Sequence, residues 1–195
     1  MQSPNCWLEV PIRVVAGTAK GRRLRPVPGE GTRPVRDQVK EALFNILAPQ
    51  IGGCTFLDLF AGTGSVGIEA LSRGATQSTF VENDPRAIET IRDNLEHTGL
   101  SDRAKVIQGD VFAVIGAGSK DRFDFVYVAP PQYSKLWSRA VVGLDQREDW
   151  LNPDAWVIAQ INPKEHEPLQ LRRLVEIDRR RYGRTLLVFY EWPGE

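Results

Sequence analysis

Apolar and polar positions follow two different periods along this 195-residue chain. Short apolar runs typical of buried strands lie at residues 55–60, 79–81, 104–108, 123–128 and 155–161, and helical spacing follows the first two, at 65–72 and from Asp84 to about Gly99. Two further runs, 174–181 and 185–192, are too close together for a crossover helix and should pair antiparallel. The pattern predicts an α/β fold with a mostly parallel, doubly wound, seven-stranded sheet that ends in an antiparallel hairpin.

The first 50 residues follow a different pattern. Residues 12–25 predict two short strands joined through Gly17 to Gly21. Thr32-Arg33-Pro34 predicts the start of a helix, whose apolar positions recur at helical spacing as far as Leu47. We therefore expect two units, a basic N-terminal extension at 1–50 and an α/β core at 51–195.

The formal net charge is zero, but the charges are unevenly placed. Residues 13–40 hold eight Lys or Arg against two acids, residues 164–184 hold seven against four, and residues 41–163 hold ten against sixteen. Basic flanks around an acidic centre suit a domain that binds an anionic polymer with its ends and a cationic cofactor in its middle. An ordinary solvated surface explains the same charges equally well.

Other features limit the class of protein. No apolar run is long enough to cross a bilayer, and the N-terminus lacks the pattern of a signal peptide. Cys6 and Cys54 have no metal-type spacing, and His97 and His166 add no metal site. We expect a cytoplasmic protein with free thiols and no metal.

The stretch Gly62-Thr63-Gly64-Ser65-Val66-Gly67 satisfies G-x-G-x-x-G between the first predicted strand and a predicted helix. Strand, glycine turn and helix are the context in which this pattern indicates a nucleotide-type cofactor. Glycine is needed where the backbone turns sharply and a ligand lies against it. The pattern alone would also fit NAD.

Acids follow at the ends of the next strands, where an open parallel sheet binds ligands. Glu82 lies about 20 residues past the glycine turn, where an acid bonds a ribose diol. Asp110 ends the third strand and either accepts from an adenine amino group or caps the helix that follows. Asp58, inside an apolar strand, either accepts N–H bonds from the glycine turn or stands near a positively charged ligand.

These motifs together resemble the RsmD-type methyltransferases, which use S-adenosylmethionine to methylate the guanine N2 amine of small-subunit ribosomal RNA. The resemblance rests on Arg13 to Gly17 with Gly21-Arg22, on Thr32 to Leu47, and on Asp58 to Gly74, and it extends to Tyr133. It implies a Rossmann-like class I methyltransferase fold. It also implies that Gly62 and Gly64 border the methionine part of the cofactor, that Glu82 holds the ribose and that Asp110 holds the adenine.

The resemblance implies two wider sets of contacts. Besides Gly62, Gly64, Glu82 and Asp110, the cofactor site takes in five further residues: Asp58, Phe60, Ala61, Asn83 and Val111. The basic extension would bind ribosomal RNA, free or in a small-subunit assembly particle, through Arg13, Lys20, Arg22, Arg23, Arg33 and Arg36. We expect a monomer.

The chain departs from the family after the fourth strand. The family's catalytic turn is Asp-Pro-Pro-Tyr, or Asn-Pro-Pro-Tyr in close relatives, whereas this chain has Ala129-Pro130-Pro131-Gln132-Tyr133. Ala129 has no side-chain acceptor for the target amine, although the backbone carbonyls of Ala129 and Pro130 can accept. Gln132 displaces Tyr133, the residue that would stack on a flipped base.

Three alternatives remain open at this point. Ala129 is compatible with an RNA-binding or assembly protein that has kept the fold without catalysis. The altered turn is also compatible with a methyltransferase for a substrate other than ribosomal RNA. An NAD-dependent dehydrogenase fits the glycines but not the Pro-Pro turn.

Overall fold

The computed structural model describes residues 12–29, 37–132 and 134–194. A seven-stranded sheet has the order β3-β2-β1-β4-β5-β7-β6. Its strands are β1 (Thr55–Leu59), β2 (Gln77–Glu82), β3 (Ala104–Gln108), β4 (Phe123–Val128), β5 (Leu151–Ile161), β6 (Val175–Tyr182) and β7 (Thr185–Trp192). The helices are α1 (Asp37–Leu47), α2 (Ser65–Ser72), α3 (Pro85–Thr98), α4 (Val111–Ala117) and α5 (Leu136–Asp145).

Strands β1 to β5 are parallel, and β7 runs antiparallel to both β5 and β6. The predicted seven-stranded sheet with its C-terminal antiparallel hairpin is therefore confirmed. Strand order reverses between β1 and β4, so a crevice opens where β1 and β4 end. We call the side of the sheet on which β1 to β5 end the carboxyl edge. Ile161, the last residue of β5, pairs with Leu186, so the β6–β7 turn also lies there.

Both faces of the sheet are covered at its centre, which explains why β1, β4 and β7 are largely apolar and buried, whereas the edge strand β6 is mostly exposed. Helices α1, α2 and α3 and the N-terminal segment pack into one core cluster, and α4 and α5 pack into the other. Aromatic rings cross the first face in one row, in which neighbouring ring centroids lie 6.1 to 6.5 Å apart: Phe44, Phe56, Phe125, Trp156 and Phe189.

The structure differs from the sequence-based expectations at two places. Residues 12–25 form a hairpin with the isolated bridge Arg13–Arg23 rather than two regular strands, because the neighbouring amides bond to α2 instead. Helix α5 was not predicted. Trp137, Ala140 and Leu144 do recur at helical spacing there, but the helix starts from left-handed Lys135 (φ 55°), which is not a typical cap residue.

Helix α1 agrees with the prediction from Asp37 onwards, and its predicted start at Thr32 lies outside the described residues. In the described ranges, no helix is both long enough and apolar enough to cross a membrane.

Candidate active site

The glycine turn occupies the carboxyl edge directly after β1. Phe60, Gly62 and Gly64 all have positive φ angles, of 62°, 55° and 75°. The turn is closed by a bond from the Gly64 N–H to the Ala61 carbonyl at 2.8 Å. A Cβ on Gly62 would meet no described atom within 4 Å. Gly62 is therefore required by backbone conformation, and its bare Cα faces open space in which a ligand can lie against the chain.

The third glycine of the motif has a different role. A Cβ on Gly67 would stand 2.3 Å from the Phe80 ring and 2.7 Å from the Ser78 hydroxyl. Gly67 therefore lets α2 pack closely on β2, which is the role of the third glycine in nucleotide-binding turns. Close packing fixes the N-terminus of α2 at the carboxyl edge.

Asp58 orders this turn from inside the sheet. Its Oδ2 accepts from the Gly67 N–H at 2.9 Å, so Asp58 bonds a helix start whose cap residue, Gly64, has no side chain. The carboxyl group is 2% exposed, and burial raises its pKa to about 8, with a further contribution from the nearby Glu82. Of the two roles considered for Asp58, the structure therefore supports the first, in which the side chain accepts an N–H bond from the glycine turn.

Glu82, at the end of β2, is held by three backbone donors. Its Oε2 accepts from the Gly62 N–H at 2.9 Å, and its Oε1 accepts from Asn83 and Asp84 at 2.7 and 3.0 Å. These bonds use three of the roughly four lone-pair positions of a carboxyl group. The half-buried side chain is therefore fixed beside the glycine turn with some accepting capacity left.

Asp110 caps helix α4. Its Oδ1 accepts from Phe112 and Ala113 at 3.0 and 2.9 Å, as the capping interpretation predicted, and the residue is exposed at the carboxyl edge. The neighbouring Val111 is buried in the core. The Phe112 ring contacts Phe60 edge-on, at 6.0 Å between centroids.

An arginine packs on the Phe112 ring. The guanidinium carbon of Arg139, on α5, lies 3.8 Å from the centroid of the Phe112 ring. Neither Phe112 nor Arg139 was predicted as a site residue. Arg139 lies on α5, which was itself missed, and Phe112 on α4 belongs to no motif that the sequence analysis used.

The turn after β4 stands beside β1. The Ala129 N–H reaches the Leu59 carbonyl at 3.5 Å, so this turn and the glycine turn flank the crevice. Ala129 is half-buried and packs against the core, Pro130 is buried, and Pro131 and Gln132 are exposed. The Ser134 hydroxyl donates to the Pro131 carbonyl at 2.7 Å. Tyr133 lies outside the described residues.

A buried polar cluster fastens the N-terminal hairpin to α2. Glu69, fully buried, accepts from the Val15 and Ala16 amides at 2.7 and 2.9 Å. It also bonds the Arg73 Nε at 2.8 Å and lies 3.6 Å from the Lys40 ammonium. Burial lowers the pKa of Lys40, although the Glu69 charge opposes that shift. Sequence reasoning missed this cluster, which was detectable only as charged residues on otherwise buried helix faces.

Asn94 connects the same hairpin to the glycine turn. Its side chain, fully buried on α3, donates to the carbonyls of Arg25 and Thr63 at 3.1 and 3.0 Å and accepts from the Arg25 N–H at 2.7 Å. Thr63 lies within the glycine turn. A polar residue in the apolar stripe of Ile88, Ile91 and Leu95 was the sequence sign of this role.

The predicted RNA-binding arginines are spread over the core surface. Arg13 pairs with Asp37 at 2.9 Å, and Arg22 donates to the His97 carbonyl at the end of α3. Lys20 and Arg23 are exposed and form no ion pair with any described residue. Because α2 and α3 run away from the carboxyl edge, the hairpin tip lies near the opposite edge. Arg33 and Arg36 lie outside the described residues.

The glycine turn, the acid at the end of β2 and the proline turn after β4 stand together at the switch point of a seven-stranded sheet. This fold is the Rossmann-like fold of class I methyltransferases. The sequence family described as "Conserved hypothetical protein 95" matches residues 12–191, and the chain belongs to this family.

Named relatives cover most of the chain. It is 38% identical over 162 residues to "Ribosomal RNA small subunit methyltransferase D" of Haemophilus influenzae, covering 82% of each chain. It is 36% identical over 185 residues to the Bacillus subtilis protein named "Putative rRNA methyltransferase YlbH", covering 94% of this chain and all of the relative. The resemblance to RsmD-type methyltransferases is thus confirmed.

Solved structures of methyltransferases share this fold. The Escherichia coli protein described as "Putative methyltransferase yhhF" superposes with a TM-score of 0.82 at 30% identity, covering 93% of this chain and 98% of that one. An RNA methyltransferase of Salinibacter ruber in complex with S-adenosyl-L-homocysteine shares the fold, with a TM-score of 0.65 at 16% identity, covering 84% of this chain and 95% of that one.

Proposed function

We propose that this protein transfers a methyl group from S-adenosylmethionine to the N2 amine of a guanine in small-subunit ribosomal RNA. The observation that carries the proposal is the pairing of an open glycine turn, anchored by Glu82, with a Pro-Pro turn across the same crevice. Membership of a family whose named relatives act on ribosomal RNA supports it. Such a substrate fits a cytoplasmic monomer that acts on free RNA or on an assembling particle.

The cofactor supplies an electrophilic methyl group on a sulfonium. The open space over Gly62 fits its methionine part, because no atom of the described residues lies within 4 Å of a Cβ placed there. The remaining acceptor capacity of Glu82 suits a ribose hydroxyl, and Asp110, with Oδ1 engaged in its cap, would present Oδ2 to an adenine amino group. Phe60, Ala61, Asn83 and Val111 would complete this pocket.

The turn at 129–132 would hold the target amine. Because Ala129 has no side-chain acceptor, the backbone carbonyls of Ala129 and Pro130 would accept the amine N–H bonds and direct its lone pair towards the methyl group. Pro131 restricts the residue before it to extended conformations, which fixes where the Pro130 carbonyl points. Tyr133 would stack on the flipped base. Transfer of this kind depends mainly on positioning, so the turn can work without the usual acid.

We also propose a role for the N-terminal unit, residues 1–50, in holding RNA through Arg13, Lys20, Arg22, Arg23, Arg33 and Arg36. The cluster around Glu69 and the Asn94 bridge would keep this unit in a fixed position on the catalytic core. Substrate held by the unit would then keep a constant orientation relative to the crevice.

Tritiated S-adenosylmethionine and unmodified small-subunit RNA, or particles, test the proposal. We expect label in guanine and its loss on Tyr133→Ala. Cofactor binding by calorimetry is the control for folding of the variant. Binding of both cofactor and RNA without label would instead favour a non-catalytic RNA-binding protein, the second candidate that Ala129 supports. Label in no RNA but in another acceptor would overturn the choice of substrate.

A further inference from the structure

Positive charge is concentrated at the tip of the β6–β7 hairpin. Four arginines occur between residues 179 and 184 with no acid among them, and all four are exposed: Arg179, Arg180, Arg181 and Arg184. We call these residues the arginine tip. Strand β6 is the last strand of the sheet on its side, so no further described strand covers it.

Strand register shows where the arginine tip lies along the strand direction, relative to the carboxyl edge. Val128 pairs with Ala159, Ala159 with Val188, and Val188 with Arg179, so these residues form one row across the sheet. One position further, Arg180 is level with Ala129, the first residue of the candidate catalytic turn. Arg181 and the turn that contains Arg184 extend beyond that level. The arginine tip therefore stands at the carboxyl edge.

Its lateral distance from the crevice is short. Strand β6 is three strands away from β4, and at a spacing of about 4.8 Å per strand the separation is roughly 14 Å. A nucleic-acid strand places about one phosphate per 3.4 Å of helix axis, so this distance spans on the order of four phosphates. The tip of the N-terminal hairpin, by contrast, lies near the opposite edge, where Arg22 bonds the end of α3.

The arginines are available to a ligand. Arg181 donates through Nε to the Gly183 carbonyl at 3.1 Å, and within the described part of the chain neither Arg181 nor Arg184 pairs with a carboxyl group. Arg179 and Arg180 pair with Glu176 and Asp178 at 2.9 and 2.6 Å. Exposed pairs of this kind are weak, so a phosphate can replace the carboxyl partner.

We infer that the arginine tip binds the phosphate backbone of the RNA that flanks the target nucleotide. This inference rests on the proposed function and adds a contact surface on the β6 side of the crevice. Guanidinium groups match phosphate oxygens in geometry, and contacts to phosphate set the position of a nucleic acid without reading its sequence.

The test compares two double variants that each remove two positive charges. Arg181→Gln with Arg184→Gln alters the arginine tip, whereas Arg92→Gln with Lys120→Gln alters exposed residues elsewhere on the core. Dissociation constants for unmodified small-subunit RNA are measured by fluorescence anisotropy at 50 and 200 mM salt. Two phosphate contacts contribute about 1.4 to 1.8 to the log–log salt slope. The fold-weakening between the two salt concentrations should therefore be roughly seven to twelve times smaller for the tip variant than for the wild type.

A lysine version separates charge from structure. Arg181→Lys with Arg184→Lys keeps both charges and should retain most of the wild-type salt slope. The inference is overturned if the tip variant keeps the wild-type slope, if the Arg92/Lys120 variant loses as much, or if the lysine version fails like the glutamine one. Weakened binding to assembled particles but not to naked RNA would assign the surface to a protein partner and also overturn it.

The outcome is distinguishable from failure of the proposed function. If the wild type binds RNA but transfers no methyl group, the proposed reaction is wrong. The salt slopes of the wild type and the tip variant can still be compared, and they test the arginine tip independently. If methyl transfer occurs and the slopes of wild type and tip variant agree, the reaction stands and the arginine tip is not an RNA contact.

Discussion

Replacement of Asp58 by asparagine should make the stability of this protein less dependent on pH. The Asp58 carboxyl group has a pKa near 3.8 when exposed in the unfolded chain and about 8 when buried in β1. Between these values the folded protein holds one proton that the unfolded chain has released. The free energy of unfolding therefore falls as pH rises from about 4 to about 8.

The slope follows from the linkage of one proton. One proton of difference corresponds to about 1.4 kcal/mol per pH unit, so this group lowers the free energy of unfolding by roughly 2.7 kcal/mol between pH 5 and pH 7. In Asp58→Asn, the amide oxygen can still accept from the Gly67 N–H, but the side chain does not ionise. That contribution to the slope should disappear.

Urea unfolding at pH 5, 6 and 7, followed by tryptophan fluorescence, measures the effect. Asp149→Asn is the matched control. The Arg147 guanidinium lowers the pKa of Asp149 to about 2, so this group is already ionised in both states at pH 5. The control should keep the wild-type slope. Equal slopes for wild type and Asp58→Asn would mean that Asp58 is charged in the folded protein, and would refute the burial argument.

Three other substitutions test the site. Asn94→Ala removes the three hydrogen bonds of a fully buried amide and should lower the free energy of unfolding by about 3 kcal/mol in urea titrations. Replacement of the exposed Asn45 by alanine should change it little. Gly67→Ala places a methyl group against Phe80 and should lower the free energy of unfolding by about 1–3 kcal/mol. Gly116→Ala, whose added methyl group meets no described atom, should be neutral or stabilising. Thermal unfolding of the two variants measures the difference. Ala129→Asn supplies a side-chain acceptor and should raise the methylation rate about tenfold, while an unchanged or lower rate would contradict the assigned role of the turn.

Local chemistry explains which parts of the fold could be predicted. Helix α2 follows Gly64, β3 is a short apolar run, and β7 begins after a Gly-Arg turn, so each boundary has its own sequence mark and the structure reproduces all three. Helix α5 has the correct spacing but no typical cap, since Lys135 precedes it in a left-handed conformation. Because no typical cap residue marks the start of α5, its helical spacing alone did not lead to a predicted helix.

The site was predicted less completely than the fold, because part of it depends on contacts between distant segments. Glu82 and the glycine turn belong to one strand–turn–helix–strand unit, so their proximity follows from spacing. Glu69 and Asn94 act on the N-terminal hairpin, 54 and 69 residues away in sequence. Periodicity reports which face of a helix is buried, but it does not report which distant segment lies there.

The attachment of the N-terminal hairpin has a consequence for the order of folding. Its partners are the Glu69 carboxyl group, the Asn94 amide and the His97 carbonyl, which are synthesised 53 to 75 residues after the hairpin residues that they bond. During translation, the hairpin therefore cannot dock until α2 and α3 have left the ribosome. In refolding, closure of such long loops makes docking late. Pulsed hydrogen exchange should then show the Val15 and Ala16 amides gaining protection after those of β2, whose pairing partners on β1 and β3 lie 22 and 26 residues away in sequence.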